Sequence, residues 1–154
     1  MNRGLVIATA LLMTSCSYGP TIRPPEPAYV RVALSADSTW HRILEMYTDL
    51  EFPIETVDRA SWFIRSGLLA IPELLGADVA DCGGGWLGKR ADNEYVRARA
   101  TILLRPGRDS TGIRVVAGFS TSGFAECVSR GKLERGLLRM ITAGRALPWD
   151  SVIR

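Results

Sequence analysis

The run Gly83-Gly84-Gly85-Trp86-Leu87-Gly88-Lys89-Arg90 is the stretch whose spacing most invites a chemical reading. A G-x-x-x-x-G-K pattern lets backbone N–H groups cradle phosphates, while the lysine reaches the terminal phosphates and a following Ser or Thr hydroxyl holds magnesium. Arg90 stands where that hydroxyl is needed. A strand, not a helix, is predicted next, so no helix N-terminus would meet the phosphates. The pattern reads as a loop anchored at Cys82, not as a nucleotide site. Acid–base candidates are equally sparse. His41 is the only histidine; it falls early in a predicted helix, near Asp37 and Glu45, with no serine nucleophile tied to it. Asp78 and Asp81, three apart, could bind a cation weakly, but carboxylates cannot be assigned to glycan cleavage from spacing alone. A single histidine and the lack of a C-x-x-C pair argue against a metal centre. No catalytic residue, metal ligand or cofactor is expected.

Arginine offers a different chemistry. From Tyr95 to Leu104 small or apolar residues alternate with others, and successive strand side chains point to opposite faces. With Val96, Ala98, Ala100, Ile102 and Leu104 turned to a core, Tyr95, Arg97, Arg99 and Thr101 turn away from it. Arg114 does the same, because Ile113, Val115, Ala117 and Phe119 form the inward set. Tyr29 and Arg31 join them if Val30, Val32 and Leu34 face in, and Arg65 is a further candidate. Guanidinium groups grip carboxylates and phosphates in a bidentate manner, and an arginine–tyrosine surface also suits protein docking. The partner-binding residues expected on this reading are Arg31, Tyr95, Arg97, Arg99 and Arg114. The alternative is a solvated sheet surface without a ligand. A formal net charge of +3 is too small to imply nucleic acid.

The elements that must position these residues can be read from periodicity. Tyr29 to Leu34 is a predicted strand. Ser35, Asp37 and Ser38 are candidate caps for a helix reaching Leu50, in which Trp40, Ile43, Leu44 and Tyr47 form one apolar stripe. Ile54–Val57 and Phe63–Ala70 read as strands joined by a turn at 58–61, and Ile71 to Asn93 as irregular. Tyr95–Leu104 and Ile113–Phe119 make the clearest hairpin, connected through residues 106–112. A last helix runs from Lys132 to about Ala146, with Ser129 as its expected cap and Pro148 as its stop. Two amphipathic helices and a mainly antiparallel sheet predict an α+β fold: a two-layer sandwich with both helices packed on one face. The other face would meet solvent or a partner.

The N-terminus bears on location. Arg3, the apolar run Leu5 to Leu12 and the ending Met13-Thr14-Ser15-Cys16 follow the order of a removable secretory signal. The run falls short of the roughly 20 apolar residues that a permanent span needs. Its last four residues resemble the lipobox of bacterial lipoproteins, in which small residues precede a cysteine that is acylated and becomes the new N-terminus. The resemblance implies a signal peptide over 1–15, a lipid on Cys16, and a lipid-anchored place in the cell envelope. Ser17 after the cysteine implies the periplasmic face of the outer membrane under the sorting rule of enteric bacteria. Residues 16–27 contain Pro20, Pro24, Pro25 and Pro27 and read as an extended tether. They precede a single domain over 28–147 and a tail over 148–154. Export permits disulfides. With Cys16 acylated, Cys82 and Cys127 remain, and their pairing is expected, with two buried thiols as the alternative.

A short lipoprotein with a proline tether and this element order resembles the repeated domains of the C lipoprotein of the outer-membrane β-barrel assembly machinery. The segment Cys127-Val128-Ser129-Arg130-Gly131-Lys132-Leu133-Glu134, with the earlier Asp81-Cys82-Gly83, is similar to a group of small envelope lipoproteins. What the resemblance implies is an accessory or scaffolding role without catalysis. The expected function is therefore a non-catalytic envelope lipoprotein that binds or scaffolds another outer-membrane component through its open sheet face. The alternatives are a binder of anionic envelope polymer, peptidoglycan or lipopolysaccharide, and a small cell-wall hydrolase with its site in the Gly83–Arg90 loop.

Overall fold

A computed structural model describes residues 22–23, 29–72, 75–85, 88–89, 95–121, 126–145 and 148. The signal peptide, Cys16 and most of the tether and tail expected from the sequence lie outside these residues. The centre of the molecule is a long hairpin, β8 (Val96–Pro106) and β9 (Thr111–Thr121) once the elements are numbered along the chain. Its register runs without interruption from Val96 opposite Thr121 to Pro106 opposite Thr111. Strict alternation drives it: Val96, Ala98, Ala100, Ile102 and Leu104, with Ile113, Val115, Ala117 and Phe119, are all buried on one face. A slip of one residue would exchange the two faces.

The other strands assemble around this hairpin, all antiparallel. β3 (Phe63–Ser66) and β4 (Leu69–Ala70) line the free side of β8, and β2 (Ile54–Asp58) lies outside β3. Beside β9 sit β1 (Val30–Val32) at one end and β10 (Glu126–Ser129) at the other, with β5 (Ala80–Asp81) outside β10. These make an open eight-stranded sheet among the described residues. Two breaks in its ladder are closed by side chains. Between β3 and β4, the Ala100 N–H donates to Ser66 Oγ at 2.8 Å. Between β1 and β10, the Ala117 N–H reaches Glu134 Oε1 at 3.4 Å. A buried N–H left unpaired costs about 1–3 kcal/mol, so both side chains help hold the sheet together.

Among the described residues, helices cover only the buried face. α1 (Ala36–Asp49) starts where expected: the Ser35 hydroxyl accepts the Ser38 N–H at 3.1 Å. Its inward stripe is Trp40, Ile43, Met46 and Tyr47. α2 (Gly76–Val79) is a single turn. The last helix, α3 (Lys132–Ala143), buries Leu133, Leu137, Met140 and Ile141. α1 packs on β8, α3 on β9, and the two touch each other. The small Ala98 and Ala100 beneath them, both fully buried, let the layers approach closely. This is the α+β sandwich that the sequence predicts.

The structure departs from sequence expectation at several places. Residues 71–93 are not wholly irregular, since α2, β5 and the two-residue strands β6 (Gly84–Gly85) and β7 (Gly88–Lys89) lie there. Ser129 is not the cap of the last helix. Gly131 holds that position at φ +73°, while the Ser129 hydroxyl accepts the Gly131 N–H and donates to Glu134 at 2.6 Å. Gly144, left-handed at φ +65°, ends the helix four residues before Pro148. Val30 shares the inward parity of Val32 but stays 39% exposed, because β1 is a short edge strand.

Candidate functional site: the arginine-lined sheet face

The uncovered face is built from the parity opposite to the core. On β8 it presents Arg97, Arg99, Thr101, Leu103 and Arg105, with Tyr95 just before the strand; on β9 it presents Gly112, Arg114, Val116, Gly118 and Ser120. Arg65 stands opposite Thr101, and Arg31 opposite Gly112. Each arginine is therefore registered against a small, hydroxyl or apolar residue. Arg97 faces Ser120, Arg99 faces Gly118, Arg105 faces Gly112 and Arg114 faces Leu103. Cross-strand ion pairs are absent along this hairpin as a result, although opposite charges placed there would be stabilising.

One carboxylate on the face reaches an arginine. Glu55, the residue that bulges out of the β2–β3 ladder between Ile54 and Thr56, lies 3.0 Å from Arg99 Nε. The angle is too poor for a hydrogen bond, so the contact is Coulombic. Both side chains are about 40% exposed, and such a pair contributes little, ~0–1 kcal/mol. Glu126 and Asp58 sit on flanking strands without an ion pair to any described residue. Arg31, Arg65, Arg97, Arg105 and Arg114 make no ion pair among the described residues. The Nε atoms of Arg65 and Arg114 are buried, with no hydrogen-bond partner among the described residues.

Aromatic rings hold some of these guanidiniums in place. Arg105 lies 4.5 Å over the Tyr29 ring, with Arg114 at 6.0 Å, and Arg65 lies 5.4 Å from the Phe63 ring. Such cation–π contacts are worth about 0.5–1 kcal/mol where exposed. They orient a guanidinium without neutralising it. Gly112 allows the Tyr29 arrangement, because a Cβ there would meet Tyr29 Cδ1 at 3.3 Å and Arg105 Cβ at 3.5 Å.

Every expected partner-binding residue lies on this face, yet they do not form one cluster. Arg97 and Arg99 stand with Arg65 and Glu55. Arg31 and Arg105 stand with Tyr29 about 20 Å further along, at ~3.3 Å per residue from Arg99 to Arg105. Arg114, opposite Leu103, reaches the same Tyr29 ring from a level between the two. Tyr95, 66% exposed, marks the first end. Arg105 is the residue that sequence reasoning missed. Ending the strand at Leu104 dropped it, although the same alternation extends to it.

The other chemical candidates stay apart. Asp37 pairs with Arg59, and His41 is exposed on α1. Asp78 pairs with Lys132 at 2.9 Å, while Asp81 Oδ1 accepts the Gly83 N–H at 2.9 Å. No group of three His, Cys, Asp or Glu residues among those described is arranged to hold a metal ion. Burial pushes the pKa of the Tyr47 hydroxyl up, so it is a neutral packing group. Lys89 lies in β7, paired back to Gly84, so the described part of the glycine run is a hairpin; Trp86, Leu87 and Arg90 lie outside the described residues. Cys82 and Cys127 are joined by a disulfide. Among the described residues, no helix is long and apolar enough to cross a membrane. Compared with known proteins, the chain matches no family model and no curated sequence.

Proposed function

We propose that this chain is a non-catalytic lipoprotein of the bacterial envelope, anchored to the outer membrane through Cys16, that docks an acidic outer-membrane component on its arginine-lined sheet face. One observation carries the reading. Arginines 31, 65, 97, 99, 105 and 114 share a face that no helix among the described residues covers, and among those residues a single carboxylate, Glu55, reaches any of them. Like charges held this way repel one another, and a complementary acidic surface relieves that repulsion while steering association and fixing register. The described helices and the buried core lie on the other side, so the face can be occupied without disturbing the fold.

The test is crosslinking in intact cells of the protein carrying Arg65→Glu, Arg97→Glu and Arg99→Gln. Glutamine is used at 99 so that no second carboxylate is placed beside Glu55. Loss of the wild-type crosslinked product with an unchanged melting curve is the expected result. Capture at the wild-type level would place the docking function elsewhere. A product that proves to be glycan or lipopolysaccharide, released steeply by salt, would replace the protein partner with an anionic polymer.

A further inference from the structure

We infer that the end of the face built around Tyr29 is a contact site for the phosphate groups of an anionic lipid bilayer, so that the domain lies on the membrane instead of standing off it. The site consists of Arg31, Arg105 and Arg114. Arg31 and Arg105 flank Gly112 from the two neighbouring strands, and Arg105 and Arg114 lie against the Tyr29 ring. None of the three arginines has a carboxylate partner among the described residues. The nearest carboxylate along the chain, Asp109 in the hairpin tip, sits next to Arg108 and makes no ion pair there. This end therefore differs from the Arg65/Arg97/Arg99 end, where Glu55 supplies a counter-charge.

Two features favour a bilayer over a soluble anion. Tyr29 is 37% exposed, and tyrosine, with an apolar ring and a polar tip, is the side chain enriched at the headgroup level of membranes. Tyr29 also stands immediately before β1, the first strand after the tether. The inference rests here on the lipid-anchored reading: with Cys16 acylated, thirteen positions separate the lipid from Tyr29, a leash of at most about 45 Å. Basic residues close to an anionic leaflet each gain roughly a fivefold preference for it, and three together about a hundredfold.

The experiment uses the full protein as isolated from cells, mixed with neutral phosphatidylcholine vesicles and with vesicles that also contain phosphatidylglycerol. Flotation and amide hydrogen exchange are measured on both. The expected result is flotation with both, and slower exchange at Val30–Val32 and Gly107–Gly112 on the anionic vesicles alone. High salt should erase that slowing in the wild-type protein, a control that needs no substitution. Arg31→Gln, Arg105→Gln and Arg114→Gln together should abolish it, whereas lysine at the same positions should largely keep it. Equal exchange on the two vesicle types, with flotation intact, overturns the inference and leaves the anchor standing. Flotation with anionic vesicles alone, with slowed exchange, supports the inference and removes the anchor. Slowing by inorganic phosphate in solution but not by vesicles overturns the bilayer as the source.

Discussion

Trp62 holds its backbone in the left-handed region, at φ +54°, where a bulky side chain costs about 1–2 kcal/mol. What offsets this cost is visible around it. The Trp62 ring meets Trp40 edge-on with centroids 5.9 Å apart, the Arg59 guanidinium lies 3.5 Å over it, and Arg59 pairs with Asp37 at the start of α1. The Trp62 carbonyl also accepts the Leu104 N–H at 3.0 Å. Replacing the ring while keeping the backbone separates the two effects. Trp62→Ala should be less stable than Trp62→Gly by about 1 kcal/mol in urea denaturation, since glycine alone adopts this φ without strain. Equal stabilities would mean that the turn relaxes. In the same turn Asp58 has its pKa held below the usual carboxylate value by the Ser61 hydroxyl, then by the Ser61 and Ala60 amides. A lowered native pKa means that this stabilisation is fully present above the ordinary value of 3.8 and is lost as pH falls through the lower native one. The Asp58 carboxyl carbon, followed by NMR, should titrate below pH 3.8, and Asp58→Ala should make stability less pH-dependent in that acid range.

At the scale of elements, the disulfide fastens the last strands of the sheet. Cys127 sits in β10 and Cys82 directly after β5, and the bond closes a separation of 45 residues. Chain entropy assigns such a loop about 4 kcal/mol, so Cys82→Ser and Cys127→Ser should each cost within roughly 2–5 kcal/mol in denaturation. A cost below about 1 kcal/mol would mean that β5 and β10 stay paired without it. The way these elements are encoded explains what sequence reading reaches. α1 is legible because Ser35 and the stripe through Trp40, Ile43 and Tyr47 agree with each other. The β8–β9 hairpin is legible because nine inward residues alternate without a fault, and the same parity places Arg97, Arg99 and Arg114 outward. β10 and β5 are not legible. They have four and two residues, too few to show a period, and exist because they pair with each other and with β9. Ser129 reads as a helix cap because its hydroxyl does satisfy an N–H, but that N–H belongs to Gly131 two residues on. The grouping of the arginines was hidden for a related reason. Nothing local to Tyr29 says that β1 lands beside the Gly112 end of β9, bringing Arg31 to Arg105 and Arg114.

For the whole molecule, the division into a covered and an uncovered face makes charge and stability separable. Arg65, Arg97 and Arg99 stand on the face opposite the core, and substitutions on a surface of this kind usually shift stability by no more than about 0.5 kcal/mol each. Their charge-altering variants should melt close to wild type and lose docking alone. Unfolding instead would mean that their stems pack more tightly on the sheet than half-exposed side chains should. Anchoring is tested separately: Cys16→Ala should abolish incorporation of a labelled fatty acid, and unchanged labelling would rule out the lipoprotein reading. One consequence is mechanical. Any pull on the chain ahead of Tyr29 is borne first by β1, which is held to β9 by only three residue pairs and buries Val32 alone. Peeled from its end, such a strand gives way one pair at a time, under far less force than shearing the eleven-residue hairpin beside it would take. Tyr29 and Arg31 lie ahead of Val32 and leave first, so tension dismantles the Arg105–Arg114 site before it draws Val32 out of the core, and slack restores it.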